Sequence, residues 1–238
     1  MESKQIFLLL STVNTVFSII TIIIALKNKR YLNQALRYFL YYCLCFLGLE
    51  LLTHCIIRFY SSFFEPILDI FGIENMNFLG IFYHVRNFLL LGLFYSLLLA
   101  PRKIAQWIRY VGIGLAVACT INYLFIEGYK GFGVFNPTVD AIFCFVVPLI
   151  YCRVMFQQDD NIPLSKNPYF WITIGQLQVA LIGFFLFFTE DFIIKSDPEL
   201  FNKLAVGRNI LMIIEQIMYA IAFYYAKNTK YLTPVVQH

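Results

Sequence analysis

The sequence predicts an all-α integral membrane protein, a single domain over residues 1–238 built as a bundle of seven transmembrane helices. Hydrophobic residues make up 60% of the chain and charged residues 13%, whereas soluble domains are about half apolar and about a quarter charged. So few charges cannot cover a water-facing surface, and the mean hydropathy of +0.71 agrees. Apolar runs recur along the whole length, which leaves no room for a soluble domain of useful size.

Seven apolar segments are each long enough to cross a hydrocarbon layer of about 30 Å at about 1.5 Å per residue. The first is predicted to be a retained helix and not a signal peptide, because Lys27 and Lys29 follow its apolar run. Pro101 ends the third segment, and Pro137 and Pro168 open the fifth and sixth. The predicted spans are 6–26, 35–57, 78–100, 108–126, 138–156, 168–189 and 204–226.

The cysteines lie within these apolar runs or at their ends and form no CxxC pair. This pattern argues against a disulfide framework or a zinc ribbon, and it predicts small thiols packed inside the membrane. The six residues are Cys43, Cys45, Cys55, Cys119, Cys144 and Cys152.

The basic residues predict the orientation of the bundle. Eleven of the 18 Lys and Arg residues fall on one side of the predicted topology, in the segments 27–37, 101–109, 153–167 and 227–238. Because cytoplasmic loops carry the excess of positive charge, the N-terminus is predicted to lie outside and the C-terminus in the cytoplasm. The net charge of +4 is then a sum over two faces, and it predicts the lipid bilayer as a partner and no nucleic acid.

The longest predicted connector, 58–77, joins the second and third spans on the outer side. Its segment 62–74 mixes Phe and Ile with acids, a composition typical of a short helix lying on the membrane surface. A lid over an outward-facing pocket is the alternative interpretation of the same residues, and the sequence leaves both open.

Polar residues inside the spans carry the functional information. In the seventh span, positions 208, 212, 215 and 219 fall on one stripe at about 100° per residue, with 209 and 216 beside it. Ionisable side chains at membrane depth are costly and usually face a partner, a cavity or an ion path. Arg208 and Glu215 are therefore functional candidates, with a structural ion pair between helices as the alternative.

The second and third spans add polar residues at a similar depth. Glu50 and His54 are four residues apart and share a face, and His84 and Asn87 do so in the third span, with Arg86 on a different face. Together with residues of the fifth, sixth and seventh spans they predict a polar core open to the outside. Its candidate ligand-binding or proton-sensing residues are Glu50, His54, His84, Asn87, Asp140, Arg208 and Glu215, with Gln176 as a further candidate.

Several chemistries are compatible with such a core. His54 and His84 could ligate a haem iron, or they could join Glu50 around a metal such as zinc. The sequence has no HExxH, no GxSxG, no phosphate-binding glycine loop and no Ser-x-x-Lys. No catalytic residue and no cofactor is therefore predicted, and haem or zinc stays an alternative. A pocket that recognises a polar ligand or a proton is favoured, since His can change charge near neutral pH.

Small residues recur every four positions in the fourth span, at Gly112, Ala116 and Thr120. In membrane helices this spacing lets two backbones approach closely. It therefore predicts a tight contact between helices and not a binding site.

The layout of seven spans and short loops, together with one short motif, resembles small uncharacterised bacterial membrane proteins of the sensory type that accompany histidine kinases. The motif opens the sixth span and reads Asn167-Pro168-Tyr169-Phe170-Trp171. The resemblance implies a receptor-like sensor in a bacterial inner membrane, and it transfers no ligand or catalytic residue. Because the chain ends twelve residues after position 226, we expect its output to pass through a separate partner such as a histidine kinase.

Two other functions compete with a sensor. A small-solute transporter of the three-plus-one-plus-three kind would repeat its breakers in the two halves, but Pro148 in the fifth span has no equivalent in the first. A haem or metal enzyme at His54 and His84 ranks third. Microbial rhodopsins are a poor match, because no lysine lies between Leu204 and Ala226 to form a retinal Schiff base. The oligomeric state is left open.

Overall fold

The computed structural model describes residues 2–59, 64, 76–128, 133, 135–157, 162–196 and 198–232. Within these ranges seven helices are long and apolar enough to cross a membrane, which confirms the predicted number. The predicted segment 62–74 lies, apart from residue 64, outside the described residues. The helices are α1 (Glu2–Lys27), α2 (Gln34–Phe59), α3 (Gly80–Leu99), α4 (Lys103–Ile126), α5 (Phe135–Phe156), α6 (Pro168–Ser196) and α7 (Pro198–Tyr224).

The predicted centres of the helices are right, whereas several ends differ. α4 begins at Lys103 and not at 108, and α6 continues to Ser196, past the predicted 189. Hydropathy reports where the hydrocarbon layer begins, but backbone hydrogen bonding continues into the polar boundary. α3 is also less regular than predicted, since a 3₁₀ turn (Met76–Leu79) precedes it and a π turn (Asn87–Leu91) interrupts it.

The seven helices close into a ring in which α7 packs against both α1 and α6. α3 packs against α2, α4 and α5 and so lies nearest the middle. The chain alternates between two ends of the bundle. The start of α1 and the ends of α2, α4 and α6 form the N-terminal end. The ends of α1, α3, α5 and α7 form the C-terminal end, where Asn228 Nδ2 donates to the carbonyl oxygen of Lys166 at 3.0 Å.

The outer surface of the ring is apolar along most of its height. Large aliphatic and aromatic side chains are exposed there, as expected of helices in contact with lipid chains. Examples from four different helices are Val16, Ile20, Ile113, Val117, Leu181, Phe185 and Ile210.

α3 and α4 approach each other closely at Gly112. A Cβ atom built on Gly112 would lie 2.5 Å from the carbonyl oxygen of Phe88, and one built on Gly92 would lie 3.3 Å from Cζ of Phe143. Phe143 of α5 also packs edge-on against Phe88, with ring centroids 5.3 Å apart. The close contact predicted from the small residues of the fourth span is therefore confirmed at Gly112.

Buried aromatic rings fill the half of the bundle nearer the C-terminal end. The ring of Phe39 lies 5.0 Å from that of Phe94 and 4.8 Å from that of Tyr219, measured between centroids. Tyr95 packs on Phe94 at 4.8 Å, and Phe223 on Phe39 at 5.8 Å. We call these five residues the aromatic floor; none is more than 1% exposed.

α1 and α7 are also joined by a hydrogen bond at a buried site. Thr21 Oγ1 donates to the carbonyl oxygen of Gln216 at 2.8 Å. Interhelical hydrogen bonds of this kind are worth about 0.6 and up to about 1.7 kcal/mol in membrane proteins. They favour one rotation of each helix about its axis, so Thr21 fixes which face of α7 points inward.

Replacing Thr21 by valine is expected to destabilise the bundle by about 0.6–1.7 kcal/mol, since valine keeps the shape and removes the donor. The measurement is the midpoint of an SDS titration followed by circular dichroism. Thr120→Val is the matched control, because Thr120 Oγ1 donates to Ala116 of its own helix at 2.7 Å. Equal midpoints for the two variants would contradict the interhelical role of Thr21.

Candidate functional site

A cavity of about 710 Å³ occupies the half of the bundle nearer the N-terminal end. Every one of the seven helices contributes to its walls, from Ser11 and Asn14 of α1 to the stretch 205–219 of α7. Its deepest wall residues include Tyr42 and Tyr219, which pack directly on Phe39 of the aromatic floor. The cavity is thus deep, and rings are packed beneath it.

The predicted candidate residues all line this one cavity. The stripe predicted in the seventh span does so completely, since residues 208, 209, 212, 215, 216 and 219 are all wall residues. The seven candidates are Glu50, His54, His84, Asn87, Asp140, Arg208 and Glu215, and Gln176 lies with them. They do not form a single cluster, because they bind different neighbours around the wall.

Asp140 is the acceptor for two candidates on α3. His84 Nδ1 lies 2.9 Å from Asp140 Oδ2, and Asn87 Nδ2 donates to both carboxylate oxygens at 2.9 and 2.8 Å. The Cys144 thiol, one turn further along α5, donates weakly to Oδ1 at 3.5 Å. The side chains of His84 and Asp140 are only 13% and 14% exposed, so this is a largely dehydrated pair that ties α3 to α5.

Arg86 belongs to the site, which corrects its predicted place on a different face. Its guanidinium donates from Nε and Nη2 to Asn87 Oδ1 at 3.1 and 2.6 Å, and from Nη2 to Tyr42 Oη at 3.1 Å. α3 stands between α2 and α5, so the cavity reaches both of its sides. A long arginine side chain can also fold back over its own helix to the next residue, which periodicity alone does not reveal.

A second group of hydrogen bonds continues from Tyr42 to α7. Gln176 Nε2 donates to Tyr42 Oη at 3.2 Å and also to Tyr219 Oη. Tyr219 Oη donates in turn to Glu215 Oε1 at 2.5 Å. Glu215 is 7% exposed, so the carboxylate predicted from the seventh span is buried and hydrogen-bonded.

These bonds form one connected network across the bottom of the cavity. It runs from α5 through α3, α2 and α6 to α7, so five helices meet in it. Buried polar groups that satisfy one another in this way fix the relative positions of the elements that carry them. In the order in which hydrogen bonds connect them, the members are Asp140, Asn87, Arg86, Tyr42, Gln176, Tyr219 and Glu215.

The three residues suggested for a metal do not converge. Glu50 Oε1 accepts from Tyr83 Oη at 3.1 Å, and His54 Nε2 lies 3.1 Å from Thr15 Oγ1 of α1, whereas His84 turns to Asp140 of α5. Among the described residues, no group of three His, Cys, Asp or Glu is placed to hold a metal ion. In this structure the three side chains bind different neighbours, and a metal or haem at them stays an alternative.

The rim of the cavity between α4 and α5 is held by residues that the sequence did not single out. Asn122 Nδ2 donates to Glu127 Oε2 at 2.8 Å and to Asn136 Oδ1 at 3.1 Å. Asn136 Nδ2 donates to the carbonyl oxygen of Cys119 at 3.2 Å, and Glu127 Oε1 accepts the backbone N–H of Phe135 at 3.1 Å. Glu127 thus satisfies a backbone donor at the start of α5, which is a structural role at the mouth.

Tyrosines are the other residues that sequence reasoning missed, because their rings suit an apolar span. One signal was present: Tyr42, Phe46, Glu50 and His54 are spaced every four residues, and all four line the cavity. Because Tyr42 lies on the same helix face as Glu50, its hydroxyl group is expected at the same wall of the cavity. Tyr83 offers no such signal, since its partner Glu50 lies on another helix.

Chemically, the cavity combines apolar walls with a few fixed polar groups, which is typical of sites for small molecules. The described part of its walls carries four carboxylates, on Glu50, Glu127, Asp140 and Glu215, and two guanidinium groups, on Arg86 and Arg208. The imidazoles of His54 and His84 add nitrogens that can donate or accept hydrogen bonds. Comparison of the chain with protein-family models, curated protein sequences and solved structures found no match.

Proposed function

We propose that this protein is a receptor-like membrane sensor whose cavity faces the outside and binds a small ligand or a proton. Binding changes how the helices pack, and a separate partner at the C-terminal end, such as a histidine kinase, receives the change. The proposed setting is the inner membrane of a bacterium. The observation that carries the proposal is the cavity itself, formed by seven helices in one half of the bundle and underlain by the aromatic floor.

The number of helices around the cavity supports a sensor. A ligand shifts a protein between two arrangements of its helices only when it binds one arrangement more tightly than the other. A molecule in this cavity would touch several helices at once, so a change in their relative positions changes its contacts. The network from Asp140 to Glu215 links five of these helices through side chains. Gln176 of α6 lies at its centre, only five residues from Trp171 near the C-terminal end of the bundle.

The packing beneath the cavity favours a sensor over a transporter. A transporter alternates access around a central site, so it needs a route to each side. Here Phe39 packs against both Phe94 and Phe223, and all three are fully buried. A fully buried aromatic cluster of this size opposes passage of a polar solute in this conformation.

The proposed orientation predicts different reactivities for two cysteines on α5. Cys144 lines the cavity, whereas Cys152 lies two turns further toward the C-terminal end, and the two are buried alike at 7% and 8% exposure. In variants that keep one of them as the sole cysteine, an impermeant cationic methanethiosulfonate added outside intact cells is expected to label Cys144 several times faster. Faster labelling of Cys152, or of Cys144 only from the cytoplasmic side, would contradict the outward-facing cavity.

The fluorescence of a native tryptophan tests whether ligand binding changes the packing of α6. The chain has two tryptophans, Trp107 and Trp171, both near the C-terminal end, so Trp107→Phe leaves a single reporter there. Trp171 Nε1 donates to the carbonyl oxygen of Ser165 at 2.8 Å, a bond that movement of α6 would disturb. We use three probes that share a phenyl ring and differ in charge: phenylacetate, phenethylammonium and phenylacetamide.

With the protein in liposomes, at least one probe is expected to change the Trp171 emission without net flux of that probe across the membrane. The Trp171→Phe protein, which keeps the 69% exposed Trp107, is the control and is expected to show no change. Net flux of the bound probe would make the protein a transporter. Unchanged Trp171 emission with all three probes at saturation would also overturn the sensor.

A metal analysis and an absorption spectrum of the purified protein decide the remaining alternative. Stoichiometric zinc or a Soret band would favour a haem or metal enzyme at His54 and His84 over a sensor.

A further inference from the structure

The guanidinium group of Arg86 is held at the bottom of the cavity in an aromatic cage. Its central carbon lies 4.2 Å from the ring centroid of Tyr42, 5.1 Å from that of Phe46 and 5.5 Å from that of Tyr83. Cation–π attraction favours the positive charge at this place. The cage and the bonds to Asn87 also fix the orientation of the group, so its remaining N–H bonds have a defined direction.

One edge of this guanidinium has no partner among the described residues. Nε and Nη2 donate to Asn87 and Tyr42, but Nη1 is buried and has no acceptor. A buried donor without an acceptor costs free energy, because water has been removed and nothing replaces it. Nη1 carries two N–H groups, so the free edge can meet one oxygen or two.

The cation also forms no direct ion pair with a carboxylate in the described part of the chain. The close contacts between a basic and an acidic side chain found there are His84–Asp140 and Lys203–Glu199. Hydrogen bonds connect Arg86 to carboxylates only through neutral side chains, as Asn87 does to Asp140. A buried arginine paired with amides and rings, and not with an acid, is unusual, since buried charges are normally paired.

Two further donors line the same cavity. Tyr42 Oη accepts from Arg86 and from Gln176, and its own hydroxyl proton has no acceptor among the hydrogen bonds described above. Asn209 Nδ2 of α7 is buried without a partner. Of the unpaired groups on the described wall, Arg86 Nη1, Asn209 Nδ2 and the Tyr42 hydroxyl are donors and Asn14 Oδ1 is an acceptor, so donors outnumber acceptors and an anionic acceptor would satisfy them.

We propose that the ligand of the sensor is a small organic molecule with one carboxylate, bound through the free edge of Arg86 and the hydroxyl of Tyr42. The inference rests on the proposed function, whose ligand class it names. Nη1 of Arg86 and the hydroxyl of Tyr42 can each donate to an oxygen of one carboxylate, and the bond from the guanidinium is charge-assisted. The rings of Phe46 and Tyr83 provide an apolar surface for the body of the molecule.

The wall charges select a single negative charge over two. The described wall holds more carboxylates than guanidinium groups, so its field repels a dianion such as a phosphate monoester more strongly than a carboxylate. The carboxylates are on Glu50, Glu127, Asp140 and Glu215, and the guanidinium groups on Arg86 and Arg208. A neutral ligand would leave Arg86 without a direct ion pair. A monocarboxylate satisfies the donors and adds the least repulsion.

The test measures binding of phenylacetate, phenylacetamide and phenethylammonium to the full-length protein in nanodiscs by calorimetry. The wild-type protein is expected to bind phenylacetate at least about tenfold more tightly than its amide, which has the same shape and no charge. This comparison needs no variant, so it does not depend on the folding of an altered protein. Equal or tighter binding of the amide or of phenethylammonium would overturn the proposal.

Two matched variants then identify the residue. Arg86→Gln is expected to weaken phenylacetate binding at least about tenfold and to abolish the preference over the amide. Arg58→Gln removes the same charge from an exposed position on α2, outside the cavity wall, and is expected to bind like the wild type. Unchanged phenylacetate binding by a folded Arg86→Gln protein would overturn the assignment.

The failure of this inference is distinguishable from the failure of the sensor. If phenethylammonium or the amide binds preferentially and changes the Trp171 emission, the proposal of a carboxylate ligand is wrong and the proposal of a sensor is supported. If phenylacetate binds through Arg86 but leaves the Trp171 emission unchanged, or crosses the membrane in net flux, the proposal of a carboxylate ligand is supported and the proposal of a sensor is wrong.

Discussion

Replacing Gly112 by alanine is expected to destabilise the bundle by about 1–3 kcal/mol, because the added methyl group has no space between α3 and α4. A Cβ atom at this position lies 2.5 Å from the carbonyl oxygen of Phe88 and 3.6 Å from Cζ of Phe143. The first obstacle is backbone, which cannot rotate away as a side chain can. α3 and α4 would have to separate, and the packing of Phe143 across both of them would loosen.

The measurement is the SDS unfolding midpoint, with Gly114→Ala as the matched control. Gly114 lies on the same helix two residues later, and nothing is within 4 Å of a Cβ built there. Alanine favours the helix over glycine by up to about 1 kcal/mol, so this variant is expected to be as stable as the wild type or more so. If both variants unfold at the same midpoint, the two helices do not approach as closely as described.

Such a contact could be foreseen only in part. The spacing of Gly112, Ala116 and Thr120 indicates a face for close packing, but it does not name the partner helix. That partner depends on how the ring closes, and on the π turn (Asn87–Leu91) that includes Phe88. The number of helices was more accessible, because a hydrocarbon layer requires about 20 apolar residues for each crossing and the sequence repeats such runs.

The composition of the cavity wall followed from the sequence for a related reason. A polar side chain inside a span avoids lipid, so Glu50, Asp140 and Glu215 had to point inward, and an inward direction leads to the same space. Their bonding partners could not be predicted. Helical periodicity gives the direction of a side chain on its own helix, whereas a pair depends on the rotation and height of the neighbouring helix. Glu50 therefore binds Tyr83, and not the histidines with which it was grouped.

The removal of Asp140 is expected to produce the largest loss at the site. Asp140→Ala should destabilise the protein by about 2–4 kcal/mol, because His84 Nδ1 and Asn87 Nδ2 both lose the acceptor that they share. Both side chains of the ion pair are less than a sixth exposed, at 13% and 14%, so water can replace the lost bonds only in part. Asp140→Asn is expected to lose about 1–2 kcal/mol, since its single oxygen can serve one donor while its amide opposes the other.

Glu199→Gln is the matched control, because it removes the acid of the other ion pair described in this chain. Lys203 Nζ lies 2.8 Å from Glu199 Oε1, but the two side chains are 70% and 78% exposed. Such a pair contributes little in water, so the SDS midpoint of this variant is expected to match that of the wild type.

A double-mutant cycle separates the pair from its surroundings. If His84 and Asp140 stabilise each other directly, His84→Ala and Asp140→Ala together should cost about 1–3 kcal/mol less than the sum of the two single losses. Additive losses would mean that His84 is held by its helix alone and that Asp140 acts through Asn87. In that case α5 would still be connected to Arg86 through Asn87. The Asn87 amide accepts from the guanidinium with Oδ1 and donates to Asp140 with Nδ2. The outcome therefore decides whether a change at His84 can reach the bottom of the cavity through Asp140 or affects only the contact between α3 and α5.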